Sequence, residues 1–331
     1  MANLPTDPEI SVCIFTLDPP PSVFKEMIAG LKAQTLERSK WEIVIVDNGS
    51  HHSVEQLYRN ELTWHNAVRF VNEPNRGFQH GHRRGIVESR GDITLFVGDD
   101  CVLAPDYLEK TKLLLATHPE AGVLSGNVTY MVFSDERKLE KQPTYTLPGI
   151  DSFSGYFQTY EKNRFTPAMR GSQGMAIRHA VGQAYVNRFW VYHEIGARLG
   201  MSALRGTDLD LSMHALNLGF AIARSDELRL THLLHDEKAS FYHHLRRAFV
   251  GGFYTEIFAM RWGWHTYQKG TLYEFLNTLH RVFQRTSPLS AWFIRLAVLC
   301  GELRAKYFLI QNRDLVQQVV VVPEKTMRGY S

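Results

Sequence analysis

The chain has 331 residues, 44% of them apolar and 21% charged, with a formal net charge of +3 from 37 basic and 34 acidic residues. That length buries a large core in one or two domains, and the near-balanced charge, with no basic tract or aromatic-basic module, excludes a nucleic-acid-binding protein. Cys13, Cys101 and Cys300 form neither a metal spacing nor a disulfide framework, which fits a reducing cytosol. The first residues lack the basic start and apolar run of a signal peptide. No apolar stretch reaches the about 18 residues of a membrane span, the nearest being Ala291 to Gly301, which Arg295 interrupts. A cytoplasmic protein is expected.

From residue 10 to about 130, strand-like and helix-like runs alternate. Ile10–Thr16 predicts a strand. Ser22–Gln34 predicts a helix, with Val23, Met27, Ile28 and Leu31 on one face and Ser22 as its N-cap. Glu42–Val46, Val68–Asn72 and Ile93–Val97 predict further strands, separated by helices over Val54–Asn60 and Gly77–Ser89. A helix over Asp106–Thr117 and a strand near Val123–Tyr130 follow. This alternation predicts a doubly wound, mostly parallel sheet with helices on both faces. Ligands on such a sheet sit outside the carboxyl ends of its strands.

Residues 131–170 are polar and lack periodicity, which predicts a long loop or insertion. Ser172–Ile177 and Ala221–Leu230 predict strands, with helices near 186–200 and 208–218 between them. Two domains are expected: residues 1–240, and a helical C-terminal extension over 241–331. The extension carries His243-His244-Leu245-Arg246-Arg247 and then aromatic residues at helical spacing from Phe249 to Trp264. It is expected to be a packed helical cap; a surface lying on a membrane is the alternative.

The strand ends share one inventory. The first ends Thr16-Leu17-Asp18 and the second Asp47-Asn48; Asn75-Arg76-Gly77 follows the third, and the fourth ends Gly98-Asp99-Asp100. Two adjacent like charges at a strand end need a cation to offset them, and a divalent metal holding phosphates is one answer. Solvated turn aspartates are the plainer alternative. A dinucleotide fold would need a glycine-rich turn after the first strand, where this chain has Asp18-Pro19-Pro20-Pro21.

At this point the chain resembles glycosyltransferase family 2 of the GT-A fold. The residues that carry the resemblance are Thr16, Asp47-Asn48-Gly49-Ser50, Asn75-Arg76-Gly77 with Arg83 and Arg84, Gly91-Asp92, Gly98-Asp99-Asp100 and Pro105. A second block follows in Gly171-Ser172-Gln173-Gly174-Met175, Gly206-Thr207-Asp208-Leu209-Asp210 and Gly219-Phe220. The resemblance spans roughly residues 9–240.

It implies that Asp47 hydrogen-bonds the nucleotide base, with Thr16 nearby, that Asn75 and Arg83 line the nucleotide-sugar site, and that Asp99 lies near the ribose and diphosphate. Asp100 would bind Mg²⁺ or Mn²⁺, and Asp208 would be the general base of an inverting transfer. His232 fits the position that completes the metal or diphosphate site, with His235 in reserve. A nitrogen ligand would tilt the metal towards Mn²⁺. The chain departs from the family pattern at Gly98, where a first aspartate is usual, and at Thr207, which replaces a glutamate. Thr207 is expected to cap the helix that Asp208 opens.

The resemblance therefore implies transfer of a sugar from a UDP- or dTDP-sugar to a glycan, lipid-linked glycan or protein, in cell-surface glycan or polysaccharide synthesis at the cytoplasmic face. A sugar nucleotidyltransferase, and a degenerate scaffold that only binds nucleotide or glycan, are the alternatives.

Overall fold

The computed structural model describes residues 8–133, 139–140, 173–188, 206–234, 241–262 and 289–312. Contacts divide the chain into two compact units, Met1–His235 and Asp236–Ser331.

The first unit opens with β1 (Ile10–Thr16), α1 (Pro21–Lys32), β2 (Trp41–Asp47), α2 (Val54–Tyr58), β3 (Val68–Asn72), α3 (Phe78–Glu88) and β4 (Ile93–Gly98). These four strands pair in parallel in the order β3-β2-β1-β4. Period-two alternation serves both faces of β1. Ile10, Val12 and Ile14 enter the core with Phe24 and Met27 of α1, Trp41 of β2 and Tyr58 of α2. On the other face Cys13 and Phe15 meet Gly85 and Gly81 of α3, where an added Cβ would stand 3.2 Å and 3.1 Å from their Cβ atoms. The two glycines let α3 lie close against β1.

The chain continues through β5 (Cys101–Leu103), α4 (Tyr107–Thr117), β6 (Ala121–Phe133), β7 (Leu139–Glu140), β8 (Met175–Arg178), α5 (His179–Asn187), α6 (Thr207–Asn217) and β9 (Ala221–Leu234). The sheet extends as β4-β8-β6-β9-β5, with β7 beside β6. Along that path β8 runs against β4 and β6, and β5 against β9; β7 also runs against β6, so the sheet is mostly parallel with three reversed strands.

The sheet must curl. β5 lies four strand positions beyond β4, which is about 19 Å across a flat sheet. Only Asp99 and Asp100 separate the two strands in the chain, and such a link reaches about 11 Å at most. The bend is visible where β6 and β9 change register, between the pairs Ser125/Arg224 and Asn127/Arg229. Extra residues on one strand bend and twist it. At Gly126 an added Cβ would sit 2.4 Å from the Leu228 carbonyl oxygen and 2.7 Å from the Tyr107 hydroxyl. Buried Tyr107 fills the inside of the bend and donates to the Gly174 carbonyl at 2.7 Å.

Several boundaries differ from expectation. α1 starts at Pro21, so Ser22 lies inside its first turn and not at its cap; proline at the first helical position has its φ already set. β8 starts at Met175 and α5 at His179, earlier than the helix expected near 186–200. Residues 189–200 and most of the loop expected over 131–170 lie outside the described residues.

In the second unit, α7 (Phe241–Arg261) and α8 (Leu289–Gln311) pack together. The crossing is closest at two glycines. A Cβ on Gly252 would stand 2.1 Å from the Val298 carbonyl oxygen, and one on Gly301 2.0 Å from that of Phe249. Phe253 and Phe308 meet edge to face beside it, their ring centroids 6.2 Å apart. Among the described residues no helix is long and apolar enough to cross a membrane.

Candidate active site

The parallel register lines up the ends of the first four strands. Thr16 pairs with Asp47, Asp47 with Asn72, and Phe15 with Gly98. Three polar side chains then stitch the loops beyond. Asp47 accepts from the Ser50 amide at 2.9 Å through Oδ1 and from the Val54 amide at 3.1 Å through Oδ2. It thereby shapes the turn at Gly49, whose φ of 88° suits glycine. Asn48 donates from Nδ2 to the carbonyls of Glu73 (3.2 Å) and Asn75 (2.8 Å), and its Oδ1 accepts from the Gly77 amide at 2.8 Å. Glu73 Oε1 accepts from both the amide and the side chain of Asn75, at 2.9 Å and 3.0 Å. The second and third strand ends are therefore one hydrogen-bonded unit.

Across the sheet, Thr16 Oγ1 donates to Asp99 Oδ2 at 2.6 Å. This ties the end of β1 to the turn after β4 and aims one aspartate of the pair back over the parallel strands. Asp100 turns the other way. Its Oδ2 lies 3.0 Å from His232 Nε2, and its carbonyl accepts from the Leu233 amide at 2.8 Å. β5 makes that meeting possible, because Cys101 and His232 are paired residues of the antiparallel β5–β9 ladder. His232 is thus inside β9, which runs on to Leu234, and not beyond the end of a strand. His235 lies outside the described residues.

Donor atoms of Asp100, Cys101 and His232 all lie within 4.8 Å of one another, and all three residues are buried. With bonds of about 2.1 Å, neighbouring ligands of an octahedral ion stand about 3.0 Å apart, the separation that Asp100 and His232 already have. The residues present therefore fit a divalent cation. Gly98 lies beside this cluster: a Cβ there would stand 2.8 Å from Asp100 Oδ1 and 3.1 Å from Cys101 Sγ. The Cys101 thiol sits 3.6 Å from Asp100 Oδ1. Burial, followed by the charges of Asp100 and Asp99, holds its pKa well above the usual thiol range.

Two expected residues are carried by helices. Arg83 is half-buried in the second turn of α3, and the next residue, Arg84, pairs with Glu88 at 2.8 Å. Asp208 lies in the first turn of α6 and accepts from the Leu209 amide at 3.0 Å. Gly206, at φ 123°, holds the cap position, and Thr207 is the first helical residue. Thr207 therefore does not cap α6. Its buried hydroxyl has no hydrogen-bond partner among the described residues.

The helix turns tightly into β9, with the Phe220 amide on the Ala215 carbonyl at 3.0 Å. Eleven helical residues rise about 16 Å, the length of about five strand residues. A helix N-terminus favours negative charge.

Sequence reasoning missed Cys101 and Asn48. Cys101 follows the aspartate pair directly, but β5 is too short to show a pattern. Asn48 had a signal, since asparagine in an Asp-Asn-Gly turn often binds nearby backbone.

Relatives include the "Glycosyltransferase AglE" of Haloferax volcanii, 27% identical over 144 residues that make up 43% of this chain and 46% of that protein. Another is the "Dolichyl-phosphate beta-glucosyltransferase ALG5C" of Trichomonas vaginalis, 30% identical over 106 residues, 30% of this chain and 32% of that protein. The matches thus span less than half of either relative. Among solved structures, S. aureus TarS 1-349 in complex with UDP aligns at 14% identity and a TM-score of 0.49, over 92% of this chain and 91% of that one. The profile described as Glycosyl transferase family 2 matches residues 11–185, more than half of the chain and all but the first residue of the first four strands. With its curled, mostly parallel α/β sheet of GT-A type, the chain belongs to glycosyltransferase family 2.

Proposed function

We propose that the chain is an inverting, metal-dependent glycosyltransferase. It moves a sugar from a UDP- or dTDP-sugar to a hydroxyl of a glycan, lipid-linked glycan or protein, in cell-surface glycan or polysaccharide synthesis. One observation carries the reading: the turn after β4 sends Asp99 to Thr16 of β1 and Asp100 to His232 of β9. Family membership supports it, as do the names of the two relatives. The free cysteines are in keeping with a reducing, cytoplasmic setting.

In this reading Asp47 meets the nucleotide base. Its two oxygens already hold the 48–54 turn, but each carboxylate oxygen has a second lone pair for a base N–H. Asn75 and Arg83 bind the nucleotide further along the edge, and Asp99, oriented by Thr16, faces the ribose and diphosphate. Asp100 and His232 would hold Mn²⁺ or Mg²⁺, which when bound would offset the negative charge that builds on the departing nucleoside diphosphate. Asp208 takes the proton of the acceptor hydroxyl as that oxygen attacks the anomeric carbon from the face opposite the leaving group.

The test is a panel of nucleotide sugars with Mn²⁺ and candidate acceptors, read as nucleoside diphosphate release. Release from one donor is expected, with Asp208→Asn slower by roughly 10²–10⁴-fold at an unchanged donor KM and Asp100→Ala inactive. If no donor turns over while UDP still binds, the protein is a binding scaffold and the proposal fails.

A further inference from the structure

We infer that Cys101 is a metal ligand, the sulfur donor that replaces the carboxylate missing at Gly98, and that this site therefore selects softer divalent ions over Mg²⁺. The inference rests on the metal reading of Asp100 and His232 and adds a ligand to it.

Three observations converge. The thiol belongs to the same cluster as the other two donors, all within 4.8 Å of one another. Cys101 and His232 are paired residues on neighbouring strands, so the ladder itself holds the sulfur and the imidazole side by side. Gly98 lies beside both donors. A Cβ on residue 98 would stand 2.8 Å from Asp100 Oδ1 and 3.1 Å from Cys101 Sγ.

The chemistry is balanced. A metal–sulfur bond forms, the S–H bond breaks, and the proton passes to bulk water, as for any thiol that ligates a metal. One thiolate, one carboxylate and one imidazole make a donor set softer than the all-oxygen set that suits Mg²⁺. Zn²⁺ and Co²⁺ are expected to bind ahead of Mn²⁺, and all three ahead of Mg²⁺. Three protein donors would leave further positions on such an ion for diphosphate oxygens.

Co²⁺ titration of the full chain tests this without any turnover. The exposed thiol is first removed by Cys300→Ser, while Cys13 stays, held between Gly85 and Ser89 in the interior. The expected result is a sulfur-to-cobalt charge-transfer band in the near ultraviolet that saturates together with the visible cobalt bands. Cys101→Ser should lose the band and weaken binding by at least the roughly 10-fold that even an outer-shell partner contributes. Visible bands that depend on Asp100 and His232 but come without a charge-transfer band would overturn the inference and leave the metal reading intact. A charge-transfer band that survives in Cys101→Ser would overturn it too. No cobalt binding at all, with or without UDP, would remove the metal reading itself. Should Cys101→Ser and Cys101→Ala both fail to fold, zinc-edge X-ray absorption on the unmutated site decides. A sulfur shell at about 2.3 Å is expected, and a shell of only oxygen and nitrogen refutes the thiol.

Discussion

Replacing His82 with phenylalanine should make the protein more resistant to acid. His82 lies on α3 with no exposed surface. Its Nδ1 donates to the Phe78 carbonyl at 2.7 Å, and Nε2 has no hydrogen-bond partner among the described residues. The ring packs 4.0 Å from Phe15, 4.3 Å from Phe78 and 4.7 Å from Phe96, centroid to centroid. Burial pushes its pKa down to about 3, only partly offset by the Phe78 carbonyl. The unfolded chain, with a histidine pKa of about 6.5, takes up the proton first as the pH falls. Stability is therefore complete above about 6.5 and is lost progressively towards pH 3. Linkage puts the loss at about 2 kcal/mol by pH 5 and about 5 kcal/mol once both states are protonated. His65, lowered to about 4 by burial and then by Arg38, adds to the same trend.

Urea unfolding at pH 7.5 and pH 5, followed by tryptophan fluorescence and by circular dichroism, measures the difference. The ring-for-ring change keeps the packing against three phenylalanines and removes the proton site. In His82→Phe the fall in stability between the two pH values should shrink by about 2 kcal/mol at an unchanged urea dependence. An identical fall in both proteins would refute the argument.

Three further outcomes follow from close approaches. Gly98→Asp restores the usual family residue, yet its Cβ would meet Asp100 Oδ1 at 2.8 Å; calorimetry with Mn²⁺ should show weaker binding, and a gain in affinity would contradict the steric account. Tyr107→Phe removes the buried bond to Gly174 (2.7 Å) and should cost about 1–3 kcal/mol in urea unfolding, because the Gly174 carbonyl loses its donor. Gly301→Val drives a side chain into the Phe249 carbonyl, 2.0 Å from the added Cβ; the helical signal of the second unit should melt at lower temperature, by the roughly 1–3 kcal/mol of an overpacked contact or more.

The parallel half of the sheet was legible because each of its strands is an apolar run bounded by turn residues, and four such runs in βαβ order leave little choice of topology. The strand-end residues Thr16, Asp47, Asn75 and Asp99 came with it, since the register that aligns the strands also aligns their ends. The curl was not legible. It depends on β5, three residues long, and on an irregular register between β6 and β9, and neither leaves a periodic trace. Without β5 there is no ladder to pair Cys101 with His232, so the expected strand stops at Leu230, short of the histidine, and the three cysteines show no metal spacing. The two helix caps failed for a related reason. Pro21 and Gly206 set the backbone at the starts of α1 and α6, and a preset or left-handed backbone overrides a neighbouring serine or threonine.

The most direct test of the central claim is the configuration of the released sugar. Once the panel has identified an α-linked donor, proton NMR immediately after mixing follows the anomeric signal of the first product, before mutarotation when the acceptor is water. Attack on the face opposite the diphosphate, with Asp208 as base, predicts a β product that disappears with Asp208→Asn. A product with retained α configuration, or one formed equally fast by Asp208→Asn, would contradict the account.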